Sequence, residues 1–308
     1  MNLLDAMRYL AALEQHRHFG RAASACHITQ PALSNALRSL EAELGVAIVR
    51  RGRSYEGLTP EGERVLASAH RLLREQELLR QDLHSGEGTP RGTLSIGAVP
   101  TAIPVAARFA AQLQARHPGV VPVVRSLSSP EIETGLENLS LDMGLGYTDR
   151  GKRFRAVPQY VEQYFLLRRV AGEAPLRTSE VATWREAAAL PLCLLTPEMH
   201  NRSIIDAAFR SAGCEVKPAI ETNSIVTVVL SVLDGEVCAV LPGALMALVR
   251  GYQGVEALLL REPDVRTPIG FMVVATARES RALAAALALA QDDEWLRHAT
   301  AQGGVLAA

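Results

Sequence analysis

Apolar residues recur at helical spacing in the first part of the chain. The repeat consists of Leu3, Met7, Leu10 and Leu13. A spacing of three or four positions predicts an amphipathic helix over residues 3–14. A second, short helix is expected near Gly20–Ala25, where small alanines permit close contact between helices. The pattern therefore predicts a small helical domain at the start of the chain.

A third helix is predicted between Thr29 and Gly45. Thr29 supplies an N-cap oxygen, Pro31 is tolerated in the first turn, and Gly45 is a common helix stop. The apolar stripe of this helix consists of Leu33, Leu37, Leu40 and Leu44, and the opposite face carries Gln30, Ser34, Asn35 and Arg38. Such polar side chains bond to base edges and phosphates when a helix enters the major groove. A solvated polar face on an ordinary small bundle would show the same pattern.

An arginine-rich segment follows the third helix. It reads R-R-G-R-S-Y-E-G-L-T and contains Arg50, Arg51 and Arg53, with two glycines bracketing a short hairpin-like turn. Arginines on such a wing can enter the narrow minor groove or pair with phosphate. The short second helix, the capped third helix and the basic wing in series favour DNA binding over an ordinary bundle.

Heptad spacing predicts a long fourth helix over residues 60–84. Its apolar stripe is expected to consist of Val65, Ala69, Leu72, Gln76, Leu79 and Leu83. Such a stripe needs a partner, and the preceding domain is small, so we expect the helix to dimerise. The alternative is a single long helix packed on its own domain. A glycine-rich hinge is expected over residues 86–90.

From Gly92 onward, strands and helices alternate. This predicts mainly parallel sheets covered by helices, arranged as two lobes joined near residues 148–170 and 266–275. Ligands bind such folds at the carboxyl ends of strands. The candidate ligand residues at these ends are Pro100, Thr101, Ser128, Ser129, Thr196, Arg202, Thr222 and Asn223. Arg202 could pair with a carboxylate, whereas Ser128 and Thr222 could simply cap helices.

Composition and charge restrict the function further. The 308 residues carry 32 basic and 33 acidic side chains, a net charge of −1, divided as +2 over residues 1–59, −2 over 60–90 and −1 beyond. The chain shows no apolar stretch long enough for a bilayer and no secretory signal, and its four scattered cysteines are typical of buried cytoplasmic thiols. Catalytic and metal-binding motifs are absent from the sequence, so we expect neither an enzyme nor a resident cofactor.

Residues 19–46, F-G-R-A-A-S-A-C-H-I-T-Q-P-A-L-S-N-A-L-R-S-L-E-A-E-L-G-V, with L-T-P-E-G at 58–62, resemble the winged helix-turn-helix of LysR-type transcriptional regulators. The resemblance places Gln30, Pro31 and Ser34 at DNA-contacting positions, and Arg51 and Arg53 on the wing. It implies a DNA-binding domain over 1–59, a linker helix and hinge over 60–90, and an effector domain over 91–308 with two α/β lobes like those of periplasmic binding proteins.

The resemblance also implies the partners of the protein. These are a pseudo-palindromic promoter site in double-stranded DNA, a second copy of the chain in a homodimer or homotetramer, and a small organic effector, usually an anion. An alternative remains: a small-molecule binding protein whose helical N-terminus only oligomerises. That alternative predicts no salt-dependent affinity for DNA, whereas phosphate contacts predict a steep loss with salt.

Overall fold

The computed structural model describes residues 2–50, 52, 55–84, 89–150, 154–172, 180–275 and 279–302. The chain divides into two compact units. The first consists of residues 1–88 with the short stretch 137–140, and the second of the remaining residues. Within the described ranges, no helix is long and apolar enough to cross a membrane.

The first unit contains four helices, as the apolar periodicity predicts. They are α1 (Leu3–His16), α2 (Phe19–Ala25), α3 (Gln30–Leu44) and α4 (Pro60–His84). The predicted Thr29 cap is confirmed, since its Oγ1 accepts a hydrogen bond from the Ala32 amide at 3.4 Å. Gly45 ends α3 at a φ of 68°, a left-handed conformation that glycine adopts without a steric penalty. The core between the helices contains Leu10, Leu13, Leu33, Leu40 and Ile48.

The second unit contains two lobes, each built on one sheet. The first lobe has the strand order β2-β1-β3-β11-β4, from β1 (Gly92–Ala98), β2 (Val120–Ser126), β3 (Met143–Tyr147), β4 (Arg155–Glu162) and β11 (Thr267–Val273). Its helices are α5 (Ile103–Arg116), α6 (Ser129–Glu137), α10 (Arg281–Ala290) and α11 (Asp293–Gln302). Phe109, Phe271 and Trp295 pack together in its core.

The second lobe has the strand order β6-β10-β5-β9-β7-β8. Its strands are β5 (Tyr164–Arg169), β6 (Val181–Thr183), β7 (Leu192–Leu195), β8 (Ile220–Thr222), β9 (Cys238–Pro242) and β10 (Val255–Arg261). Its helices are α7 (Trp184–Ala188), α8 (His200–Ser211) and α9 (Ile225–Asp234). Buried side chains, among them Tyr164, Trp184 and Phe209, cover one face of the sheet.

The prediction of mainly parallel sheets needs correction, because both sheets are mixed. β1 runs parallel to β2 and β3, whereas β11 pairs antiparallel with both β3 and β4. The reason is the double crossing between lobes. The chain leaves the first lobe through β4, and only Gln163 separates β4 from β5 of the second lobe. It returns to the first lobe through β11, so β4 and β11 run in opposite directions.

Candidate nucleic-acid interface and ligand cleft

The polar face of α3 is available to a partner. Gln30, Pro31, Asn35 and Arg38 are exposed and Ser34 is half-buried, while Leu33, Leu37 and Leu40 lie in the core. Arg38 Nη1 donates to Asn35 Oδ1 at 3.4 Å, so these two side chains support each other. All five residues predicted to contact DNA on this helix therefore share one accessible surface.

The wing, residues 49–58, begins and ends at an antiparallel bridge between Val49 and Leu58. Glu41 of α3 fixes its start, since the carboxylate accepts hydrogen bonds from the Ile48 amide at 2.7 Å and the Val49 amide at 3.1 Å. Arg50 Nε donates to the Leu58 carbonyl at 2.8 Å. Helix α3 thus positions the base of the wing directly. Arg51 and Arg53, predicted on the wing, lie outside the described residues.

Tyr55 anchors the middle of the wing to the helical core. Its ring packs edge-on against Phe19 with centroids 6.1 Å apart, and its hydroxyl donates a hydrogen bond to Glu14 of α1. Burial and the Glu14 carboxylate raise the pKa of Tyr55, so the hydroxyl keeps its proton and remains a donor. The sequence analysis did not identify this contact, because its partners are 41 residues apart.

An open groove of about 380 Å³ lies between α3 and the wing. Its described lining consists of Phe19, Ser34, Leu37, Arg38, Glu41, Val49, Arg50 and Gly52. Ser34, Arg38 and Arg50 therefore border one depression, which brings a predicted base-reading residue and two cations to the same side of the unit.

The heptad stripe of α4 has two different parts. Val65 packs partly buried against the core of the first unit, and Ala69 is fully buried. Leu72 is 45% exposed and Leu79 is 55% exposed. The beginning of the helix therefore belongs to its own domain, whereas the later leucines present apolar surface. The side chain of Leu83 lies outside the described residues.

A narrow cavity lies between the two lobes of the second unit. Its volume is about 10 Å³, roughly room for one water-sized group. The described lining consists of Val99, Pro100, Thr101, Ser128, Ser129, Tyr147, Leu195, Met199, His200 and Asn201. Four of the predicted ligand residues, Pro100, Thr101, Ser128 and Ser129, meet here because β1 and β2 end side by side.

The other four predicted ligand residues are not part of the described lining. Arg202 is buried, and its guanidinium donates to Asp206 Oδ1 at 2.8 Å, Glu221 Oε1 at 2.7 Å and the Leu195 carbonyl at 2.7 Å. Two carboxylates therefore balance its charge inside the second lobe. The structure therefore does not support Arg202 as the partner of an anionic ligand.

Thr196, Thr222 and Asn223 lie at the predicted strand ends, and the hydrogen bonds of Thr196 and Thr222 serve local structure. The Thr196 amide donates to the Thr222 carbonyl at 3.0 Å, and its hydroxyl donates to Glu198 at 2.6 Å. The expectation that Thr222 caps the next helix was wrong. Ser224 is the N-cap of α9, and Thr222 Oγ1 instead accepts the Ser224 amide at 3.2 Å.

Three polar residues outside the predicted ligand set also line the cavity. The Tyr147 hydroxyl lies 3.2 Å from Thr101 Oγ1, and its ring lies 4.6 Å from that of His200. Asn201 Nδ2 donates to the Tyr164 hydroxyl at 3.4 Å. Burial raises the pKa of Tyr147, so its hydroxyl is a neutral donor. The position of Tyr147 at the end of β3 was the available signal, since the other strand ends were identified on that criterion.

The four cysteines are free thiols, with Cys193 and Cys238 buried and Cys26 and Cys214 half-buried. Burial raises the pKa of Cys26, Cys193 and Cys238, which lowers the fraction of reactive thiolate. None of the four belongs to the described cavity lining. Among the described residues there is also no group of three or more side chains that could hold a metal ion.

Comparison with known proteins identifies the family of both parts of the chain. Residues 4–63 match the family model "Bacterial regulatory helix-turn-helix protein, lysR family", and residues 87–294 match "LysR substrate binding domain". The chain is 28% identical over 285 residues to the DNA-binding transcriptional dual regulator OxyR of Escherichia coli K12, covering 88% of this chain and 89% of that protein. It is 37% identical over 121 residues to an SDS degradation transcriptional activation protein of Pseudomonas, covering 39% and 40%.

Solved structures share the fold. A full-length OxyR variant from Pseudomonas aeruginosa superposes with a TM-score of 0.66 at 24% identity, covering 93% of this chain and 96% of that one. Full-length CbnR in complex with its target DNA superposes with a TM-score of 0.65 at 18% identity, covering 96% and 99%. With a helix-turn-helix model and a substrate-domain model matched in series, the chain belongs to the LysR family of DNA-binding transcriptional regulators.

Proposed function

We propose that this LysR-type regulator reads a pseudo-palindromic promoter site as a homodimer and that a small organic effector held between its two lobes controls it. The observation that carries the proposal is the exposed polar face of α3 beside the wing. Gln30, Ser34 and Arg38 lie one turn apart along this face, so they follow the floor of a major groove together.

Charges around α3 support phosphate contacts on both sides of the groove. Arg38 lies on the helix and Arg50 at the base of the wing, and both border the same depression. Arg51 and Arg53 follow in the sequence and add two further positive charges to this basic stretch. Arginine pairs with phosphate and also enters narrow minor grooves, so this side of the unit suits binding along the DNA backbone.

The later part of α4 supports dimerisation. Leu72 and Leu79 are seven residues apart on one face of α4, and each leaves about half of its side chain exposed. Burying two leucines per chain against a second copy would contribute a few kcal/mol on each side, since a fully buried leucine contributes about 1.5–3 kcal/mol. A dimer presents two recognition helices, which suits a site with two half-sites. A tetramer would then be an assembly of two such dimers.

A second candidate function is sensing of peroxide through a thiol. Curated relatives are described as hydrogen peroxide-inducible genes activators. In this chain the described cavity lining contains no cysteine, and burial raises the pKa of three of the four thiols. A peroxide-sensing thiol needs thiolate character and access. The cleft therefore favours reversible binding of a small organic molecule over thiol oxidation.

The cytoplasm is the compartment we propose, because the DNA partner of a bacterial regulator lies there. Four unpaired thiols are consistent with a reducing compartment. We propose no enzymatic activity, since the family models that match the chain describe a DNA-binding regulator and its substrate-binding domain.

Salt dependence of DNA binding tests the proposal. Full-length protein is titrated onto a labelled fragment of the promoter adjoining its own gene, at 50, 100 and 200 mM salt. Neutralisation of six or more phosphates would lower the affinity by a factor of about 1000 over this range. A fragment of scrambled sequence serves as the control and should bind at least 1000-fold more weakly. Affinity that is indifferent to salt and sequence would favour the alternative of a ligand-binding protein with an oligomerising N-terminus.

A further inference from the structure

Glu162 occupies an unusual position beneath the cleft. It is the last residue of β4, directly before the chain crosses to the second lobe, and it lies opposite Thr267 of β11. Its side chain is fully buried, and among the described residues its hydrogen-bonding neighbour is the Tyr160 hydroxyl, which lies outside good hydrogen-bond geometry. A buried acid so poorly partnered costs free energy, so its presence calls for a functional explanation.

Phenols surround this carboxyl from three strands. Tyr147 of β3, Tyr160 of β4 and Tyr164 of β5 all lie near enough that a charge on Glu162 raises the pKa of each hydroxyl. Burial raises the pKa of Glu162 itself to about 8, with the Tyr160 hydroxyl acting in the opposite direction. At neutral pH the carboxyl is therefore mostly protonated, and no basic side chain contributes to its environment.

A short chain of contacts connects the cavity to Glu162. Asn201, at the start of α8, lines the cavity and donates to the Tyr164 hydroxyl. The Tyr164 hydroxyl lies 3.3 Å from Thr267 Oγ1, and Thr267 is the strand neighbour of Glu162. A polar group entering the cavity beside Asn201 is thus connected to the strand neighbour of Glu162 through the Tyr164 and Thr267 hydroxyls. In such low-dielectric surroundings a charge acts more strongly than it would in water.

The unpaired atoms around the cavity can all accept a hydrogen bond once Glu162 is ionised. Asn201 Oδ1 is buried without a partner and can only accept, and the Glu162 oxygens are acceptors once the proton has left. Ser129 Oγ, also buried and unpartnered, can accept or donate. No lysine or arginine is present in the described lining. The start of α6 is already satisfied, because Glu131 accepts from the Ser128 amide at 2.8 Å and from its hydroxyl at 2.7 Å.

We propose that the inner end of the cleft is a subsite for a group with N–H donors, of the amine or amidine class, and that Glu162 determines this specificity. The inference rests on the proposed function, in that it takes the cleft to be the effector site, and it replaces the anion expected from the sequence by a cation. On binding, the cationic group bonds to Asn201 Oδ1, and the Glu162 carboxyl releases its proton to solvent. The carboxylate charge is then balanced by the ligand.

Three isosteric probes test this specificity on the full-length protein: acetamidinium, acetamide and acetate. Their affinities are measured at pH 8.5 by saturation-transfer NMR on the probe methyl group. Acetamidinium is expected to bind at least tenfold more tightly than acetate, with acetamide between them. Acetate binding as tightly as acetamidinium, or acetamidinium not binding at all, would overturn the proposal.

Two variants assign the effect to the named residues. Glu162→Gln should weaken acetamidinium at least tenfold and leave acetamide within threefold, while Asn201→Leu should weaken both. Glu256→Gln is the matched control, because Glu256 is a buried acid of the second lobe already paired with Arg168. It should leave all three affinities unchanged. Acetamidinium affinity unchanged by Glu162→Gln would contradict the assignment.

A measurement on the unmodified protein covers the case in which Glu162→Gln does not fold. Because binding expels a proton, acetamidinium affinity should fall about tenfold per pH unit from pH 8 to pH 6. His200, Tyr147, Tyr160 and Tyr164 are the other titratable groups at this end of the cleft, and the tyrosines stay neutral throughout this range. A flat profile would contradict the proposal. Promoter binding measured in parallel separates this outcome from failure of the proposed function.

Discussion

The two polar surfaces of this protein are built in opposite ways. On α3 the polar residues are consecutive turns of a single helix, and they are exposed because the leucines opposite them are buried. In the cleft the polar residues come from the ends of β1, β2, β3 and β7, and most of them are buried. The first surface is preformed for a large partner, and the second is closed around little more than the volume of a water molecule. A regulator needs this difference, since DNA is met at an open face and an effector is enclosed.

The largest expected effect is a change in the unfolding free energy with pH, and it comes from Glu162 near the ligand cleft. The pKa of Glu162 is about 8 in the folded protein, against about 4.3 in an unfolded chain. The folded state therefore holds this proton more tightly. The stability that the carboxyl contributes is complete below about pH 4.3 and is lost as the pH rises through 8. The slope in that window is about 1.4 kcal/mol per pH unit.

Glu162→Gln removes this titration. Urea unfolding of the variant and the unmodified protein at pH 5, 6.5 and 8 should give a difference in unfolding free energy that grows in favour of the variant as the pH rises. Glu198→Gln is the control, because Glu198 is exposed and a hydrogen bond from Thr196 lowers the pKa of its carboxyl. That acid stays ionised over this range, so its variant should show a constant difference. A constant difference for Glu162→Gln would refute the burial argument.

A smaller effect, on promoter affinity, is expected when Tyr55, the anchor of the wing, is changed. Tyr55→Phe removes the hydroxyl that donates to Glu14 and leaves the ring on Phe19. A hydrogen bond to a charged group contributes about 1.5–3 kcal/mol, and part of that loss should appear as a less ordered wing. Promoter affinity measured by fluorescence anisotropy should fall about tenfold. Tyr9→Phe, the same change at a half-buried tyrosine of the same core, should leave it unchanged. Equal affinities for the two variants would show that the anchor does not position the wing.

Substitution of the cysteines is expected to leave promoter affinity and its response to peroxide unchanged. Cys26→Ser and Cys214→Ser change the two half-buried cysteines. Promoter affinity before and after treatment with hydrogen peroxide should be the same in the double variant and in the unmodified protein. A peroxide response that the double variant loses would restore the thiol-sensing candidate.

The open surface was predictable from the sequence because its determinants are local. The stripe from Leu33 to Leu44, the Thr29 cap and the Gly45 stop all lie within one helix, so periodicity and capping identify it. The α4 helix was predicted with its observed bounds for the same reason. The contact between Tyr55 and Glu14 was not, because no local pattern connects positions so far apart.

The closed surface was predictable only in part. Strand ends identified Thr101 and Ser129, since the ends of neighbouring parallel strands meet. The buried position of Glu162 was not predicted from the sequence, because a β-bulge interrupts the alternation of inward and outward side chains along β4. Tyr160 pairs with Ile269 and Pro158 with Gly270, which leaves Gln159 as the extra residue. Gln159 and Tyr160 are consequently both buried, Val161 is exposed and Glu162 is inside.

The central claim, that the polar face of α3 reads the promoter sequence, is tested most directly by a matched pair of substitutions on that helix. Ser34→Arg places a bulky cation on the proposed reading face, and Ser39→Arg places the same cation at an exposed position about 140° further round the helix, at the edge of that face beyond Asn35. The measurement is the ratio of affinities for the promoter and for scrambled DNA at 150 mM salt. We predict that Ser34→Arg lowers this ratio at least 100-fold and that Ser39→Arg leaves it within threefold. A ratio unchanged by Ser34→Arg would contradict the assignment of α3 as the recognition helix.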